Sequence, residues 1–213
     1  SVTMGSYRCV GSFCICSTYL SSAMSHTLPF PHSPIRPFSL SPPLSCSETN
    51  GAAVVTDDVT HKKYFFSNDK GRASAIILDA KLTVGMPLYP TASCGMDVLA
   101  HALEAFTSNR TNSFSDAVAY QAIREVAVWL PAVMKNPKDI EARGHMQMAS
   151  YMAAMAFDSA QLGLMHATGH QLTALYGAPH GQTLATVMPH VMEFNIQGGG
   201  KSVAKYAQVA QAF

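Results

Sequence analysis

Residues 164–181 read LMHATGHQLTALYGAPHG, a short stretch that holds three histidines, His166, His170 and His180. His166 and His170 are four residues apart, so a helix sets them one turn apart on one face. Gly177 and Pro179 end that helix, and Pro179 suits the first turn of the next. His180 then lies near the start of a second helix that can fold back on the first. Neutral imidazole is a good ligand for zinc or iron(II). Two imidazoles do not make a tight site, so a carboxylate partner is expected. Upstream, residues 95–106 read GMDVLAHALEAF, with Asp97 and His101 again four apart on one helical face. Asp97, His101, His166 and His180 together offer one oxygen and three nitrogen donors, a set that fits Fe2+ or Zn2+. Either pair alone is a weak signal. Both together, in a chain whose helices are otherwise so poor in charge, point to a site. Spacing alone does not separate His170 from His166.

Residues 95–106, followed by MAFDSAQLGLMHATGHQLTALYGAPHGQTLATVMPHVMEFN at residues 155–195, resemble the iron-containing (group III) alcohol dehydrogenases. The order of motifs and the step of fourteen residues from His166 to His180 both match. The resemblance runs over residues 47–213 and is densest over residues 95–195. It implies a mainly α fold, a helical metal-binding domain like the C-terminal half of dehydroquinate synthase, with a short β-hairpin before it. It implies that Asp97, His101, His166 and His180 bind the metal. By the same resemblance His170 lies beside the nicotinamide and substrate, and Lys63 contacts the nucleotide. The implied reaction is NAD(H)- or NADP(H)-dependent interconversion of an alcohol and its aldehyde or ketone, with the metal as Lewis acid. A cytoplasmic enzyme is expected, and a homo-oligomer if the chain is complete.

Composition narrows the partners. A formal net charge of +1 gives no reason to expect nucleic acid. No apolar run approaches eighteen residues, so no membrane span is expected. Only 13% of residues are charged, which implies surface hidden in an oligomer or against another domain, or poor solubility. The five cysteines, Cys9, Cys14, Cys16, Cys46 and Cys94, form neither a disulfide framework nor a C-x-x-C pair. They suggest a reducing compartment. Most of the twelve methionines fall in the helical part, as flexible core filling.

Three regions follow. Residues 1–46 are dense in serine and proline, and no acidic residue precedes Glu48. They read as foreign to the fold, or as a transit-like leader, which would make the location mitochondrial. They contain no glycine-rich pyrophosphate turn, and the family's G-T-G-S-E segment survives only as Ser47 and Glu48. The family's N-terminal nucleotide domain is therefore expected to be absent, and NAD(P)H binding by this chain alone is not expected. Residues 47–90 hold the hairpin, with strands at 53–55 and 63–66 about a turn at Asp57 and Asp58, and then a buried strand at 74–82. Residues 91–213 are helical, and the helix that begins at Lys201 is expected to be cut short. Thr91 or Ser93 caps the first helix, Ser113 or Ser115 the second, and Asp139 or Ile140 opens the third. Pro131 bends or restarts the second, and Pro189 kinks the fifth.

Two competing functions remain. A zincin-type hydrolase needs H-E-x-x-H, and here Ala167, Thr168 and Gly169 separate His166 from His170, with no acid among them. A metal-binding remnant without activity is the other. Glu104 and Asp158 read as outer or surface carboxylates, His190 as structural, and His61 and His145 as solvent-facing.

Overall fold

The run from Val98 to Phe106 is buried without interruption, polar residues included. A helix buried on all sides belongs in a core, and this one is the centre about which the others pack. A computed structural model of the chain describes residues 75–213 and, before them, three short strands, Ser39–Leu40 (β1), Ala52–Thr56 (β2) and Lys63–Ser67 (β3). The remainder of residues 1–74, including the hairpin turn and, apart from β1, the stretch 1–46 expected to be foreign to the fold, lies outside the described residues.

β2 and β3 pair antiparallel, Ala52 with Ser67 through Thr56 with Lys63, which is the expected hairpin. β1 pairs in parallel with β4, Ile76–Ile77. The long buried strand expected over residues 74–82 is not formed. Ile77 is half exposed, and the chain turns into a 3-10 helix at Ala80–Thr83. Asp79 is the cause: its carboxylate accepts the Lys81 N–H at 3.0 Å, a local bond that competes with strand pairing.

Six helices follow among the described residues: α1 Leu88–Thr107, α2 Ser113–Lys135, α3 Ile140–Ala160, α4 Leu164–Tyr176, α5 His180–Gln197 and α6 Lys201–Ala210. α1 touches all the other five, and α2 and α3 pack on each other. Leu103, Ile123, Val126, Met146, Met165 and Leu184 fill the space between them. Lys205 of α6 ties the end of α1 to the start of α2, donating to Phe106 O at 2.6 Å and to Asp116 Oδ1 at 2.7 Å.

Three boundaries differ from expectation. α1 begins at Leu88, before Thr91 and Ser93, with Pro87 at its N-cap. Pro90 permits this, since the first turn of a helix has N–H groups without intrahelical partners and a proline there loses nothing. Thr91 is buried and its hydroxyl donates to Pro87 O at 2.8 Å. The cap of α2 is Asn112: its side chain accepts the N–H groups of Phe114 and Ser115, and Ser115 Oγ accepts the Asn112 N–H in return. α2 continues through Pro131 to Lys135 and does not restart there. The buried residues on either side of the proline, Val126 and Val133, keep the helix packed while one backbone bond is lost. Asp139 caps α3 as expected, accepting the Ala142 N–H at 3.0 Å.

Candidate metal centre

α1 projects Asp97, His101 and Glu104 from one side, at spacings of four and three residues that a helix brings into register. All three are buried. α4 crosses this face and presents His166, also buried, and one turn later His170. α4 ends where expected: Gly177 takes the left-handed conformation, φ 63°, that a residue with a side chain adopts reluctantly. Pro179 then caps α5, and His180 opens it. The return brings His180 back against α1.

Three ring nitrogens surround one carboxylate oxygen. Asp97 Oδ1 lies 3.5 Å from His166 Nε2, 3.6 Å from His101 Nδ1 and 3.7 Å from His180 Nε2. None of these is a hydrogen bond. Asp97 Oδ1, His101 Nδ1 and His166 Nε2 are buried without any hydrogen-bond partner. Buried polar atoms are nearly always satisfied, so three orphans facing one another call for a missing group. A divalent ion fits the gap. Two donors about 2.1 Å from a tetrahedral ion stand roughly 3.4 Å apart, close to the spacings here. The donor atoms of Asp97, His101 and His166 lie within 4.8 Å of one another and form the compact core of the site. His180 joins from the more open side, its side chain 20% exposed.

The surroundings orient these rings. Phe157 of α3 stacks on His101 at 4.7 Å between centroids, and His101 stacks in turn on His166 at 4.4 Å. Thr173 Oγ1 stands 3.4 Å from His180 Nδ1, leaving Nε2 turned to Asp97. His170 stacks on His180 at 4.8 Å and lies 5.9 Å from His166 between centroids. It is thus beside the cluster, outside the compact group of donors. Glu104 accepts from His166 Nδ1 at 2.6 Å.

Electrostatics follow from burial and these neighbours. Burial opposes the Asp97 charge, but the imidazoles of His101, His180 and His166 hold the carboxyl well below its usual range. Burial pushes the His101 imidazole down to about 3, against the pull of Asp97. His166 is also penalised by burial, yet it lies between two carboxyl groups, Asp97 and Glu104, which together raise it to about 9. Burial, with Asp97 adding, pushes the Cys94 thiol up to about 11, so at neutral pH it stays protonated and is a poor ligand.

Asp97, His101, His166 and His180 are thus drawn together, with His170 adjoining. Lys63 lies in β3, next to which α4 passes, and its side chain is outside the described residues. Asp158 and His190 are exposed. His145 departs from expectation. It is only partly exposed, 2.7 Å from Glu125 Oε2 and stacked on Trp129 at 4.0 Å. Trp129 lies on α2 and His145 on α3, and their meeting across the helix pair leaves no trace in local sequence. Phe157, which stacks on His101 from α3, has no local signal in the sequence. Thr173 follows His166 by seven residues, two turns of one face, and that spacing could have indicated it.

No described helix is long and apolar enough to cross a membrane. Residues 91–213 match the family model described as "Fe-containing alcohol dehydrogenase family, C-terminal". The chain is 40% identical over 166 residues to the 1-propanol dehydrogenase PduQ of Salmonella typhimurium, covering 78% of this chain and 45% of that protein. It is 37% identical over 163 residues to the NAD-dependent methanol dehydrogenase of Bacillus methanolicus, covering 76% and 43%. It superposes on the iron-containing alcohol dehydrogenase of Thermococcus thioreducens with a TM-score of 0.73 at 37% identity, covering 79% of this chain and 43% of that one. The chain therefore spans under half the length of the relatives it matches.

Proposed function

The chain belongs to the Fe-containing alcohol dehydrogenase family, and from that premise we propose that it holds the metal for NAD(P)-dependent interconversion of a primary or secondary alcohol and its carbonyl compound. The observation that carries the reading is the set of three buried, unpartnered donor atoms on Asp97, His101 and His166, with His180 beside them. A divalent ion held by these four residues, Fe2+ or Zn2+, supplies Lewis acidity toward the alcohol or carbonyl oxygen. Asp97 contributes the one negative charge among the four. Phe157 and Thr173 restrain the rings of His101 and His180. His170, stacked on His180, holds or passes a proton at the substrate oxygen. Lys63 contacts the nucleotide. A cytoplasmic location and a homo-oligomeric enzyme belong to the same proposal. An inactive metal-binding remnant is the less favoured reading, since the relatives named above are dehydrogenases.

The test uses Co2+ as a visible probe of the site. A chain loaded with one Co2+ is titrated with 1-propanol and with propanal. A saturable change in the visible spectrum is expected, because a substrate oxygen arriving from the more open His180 side would raise the ion from four ligands to five. A stoichiometrically loaded chain whose spectrum ignores both compounds overturns the reading.

His170→Ala is expected to keep the metal and lose rate, by about 10²–10⁴-fold if the residue serves as proton carrier. The measurement is metal content beside turnover in a full-length relative with the same motif. Loss of metal equal to that of His166→Ala would make His170 a ligand instead.

A further inference from the structure

α4 starts without a cap of its own. Its N-cap is Gly163, which has no side chain to accept the first N–H groups. The acceptor comes from another helix. Glu104 of α1 accepts the Met165 N–H at 2.5 Å through Oε1 and the His166 N–H at 3.3 Å through Oε2. Met165 and His166 are the second and third residues of α4, the positions a side-chain cap ordinarily serves. The same Oε2 lies 2.6 Å from His166 Nδ1. One buried carboxyl group thus fixes both the backbone and the ring of a single residue.

We propose that Glu104 is a positioning residue that caps α4 from α1 and holds His166 in the tautomer whose Nε2 can ligate. The proposal rests on the metal reading above and adds to it the device that presents His166. The chemistry is one of donors and acceptors. A carboxylate only accepts, so the short contact makes Nδ1 the protonated nitrogen of the neutral ring. That leaves the Nε2 lone pair directed at Asp97 Oδ1 and the gap beside it. A glutamine at the position cannot do the same. It has one acceptor oxygen and one NH2 donor, whereas three N–H groups point at it. If the oxygen meets the backbone, NH2 faces Nδ1 and drives the proton to Nε2. If the oxygen meets Nδ1, NH2 faces the Met165 N–H. The geometry also ties the cap to ligand placement: Glu104 is seven residues from Asp97 and three from His101 on the same helix. α4 is therefore set in register with the two donors that α1 supplies itself.

The experiment compares the full chain with Glu104→Gln and Glu104→Asp. Zn2+ affinity is measured by competition with a chelator, and the His166 ring by 15N NMR in metal-free protein at pH 10, where the neutral ring prevails. The wild-type chain should show the proton on Nδ1, with a strongly downfield N–H signal. Glu104→Gln should lose about 10–100-fold in Zn2+ affinity and move proton population toward Nε2. Glu104→Asp, one methylene shorter but still only an acceptor, should keep the tautomer and recover part of the affinity. A residue that merely stabilised the fold would lower affinity in both variants and leave the tautomer alone. Unchanged tautomer and affinity in Glu104→Gln overturn the proposal. So does a wild-type ring protonated on Nε2, a result that needs no variant to fold. If the wild-type chain binds no Zn2+, the metal reading fails, and the NMR of metal-free protein still decides the role of Glu104.

Discussion

Replacing Asp97 or His166 with alanine is expected to abolish stoichiometric metal uptake, while His190→Ala leaves it intact. Asp97 Oδ1 is the point on which His101, His166 and His180 converge, each between 3.5 and 3.7 Å away. Removing it deletes a proposed ligand and the only negative charge among the four. His166 supplies another donor from the compact group and joins α4 to α1 through Glu104. Binding of a structural Zn2+ by four ligands is worth about 10–16 kcal/mol, so one ligand represents roughly 3 kcal/mol or more. At 1.4 kcal/mol per decade that is at least about 100-fold in affinity. His190 shares α5 with His180 but is exposed on its far stretch. Metal content by elemental analysis after dialysis against a weak chelator checks the prediction. Equal content in the three variants and the wild type would remove the assignment.

The second large effect is expected from a glycine. Gly181→Ala should destabilise the chain and displace His180. A Cβ at Gly181 would fall 1.8 Å from Ser93 O and 2.5 Å from Ser93 C. Those are backbone atoms of α1, which cannot swing aside as a side-chain tip can. The first turn of α5 would have to leave α1, and His180, next in sequence, would move from Asp97 with it. Overpacking typically costs about 1–3 kcal/mol, and contact with buried backbone puts this case at the upper end or beyond. Gly144→Ala is the control. Its Cβ meets only Ala80 Cβ, at an ordinary 3.8 Å, in the interior of α3. Relief of glycine's backbone entropy there should raise stability by about 0.5–1 kcal/mol. Thermal unfolding of metal-free protein, paired with Zn2+ affinity, reads both effects. A Gly181→Ala chain as stable and as tight for Zn2+ as the wild type would show that α1 and α5 are not in such close contact.

Helical spacing in the sequence was enough to group the donors in pairs. Asp97 and His101 share a face because they are four apart, and so do His166 and His170. Gly177 and Pro179 announced the reversal that returns His180. The helical class and the hairpin were legible for the same reason, since each is a local periodicity. Caps were less legible. Thr91, Ser93, Ser113 and Ser115 all have the chemistry of a cap, and the choice fell to Pro87 and Asn112 through the path of the preceding chain. The strand expected at residues 74–82 failed to extend because Asp79 bonded its own neighbour's backbone.

Spacing does not decide which imidazole of the pair on α4 stands against Asp97; the resemblance implied His166, and the tertiary structure supplies the physical reason. His166 and His170 are equivalent by spacing, as two residues one turn apart always are. Glu104 breaks the tie, because its carboxyl group grips the ring and backbone N–H of His166 across 62 residues of sequence. The rotation of one helix against another is set by such contacts between distant residues. No local period encodes them.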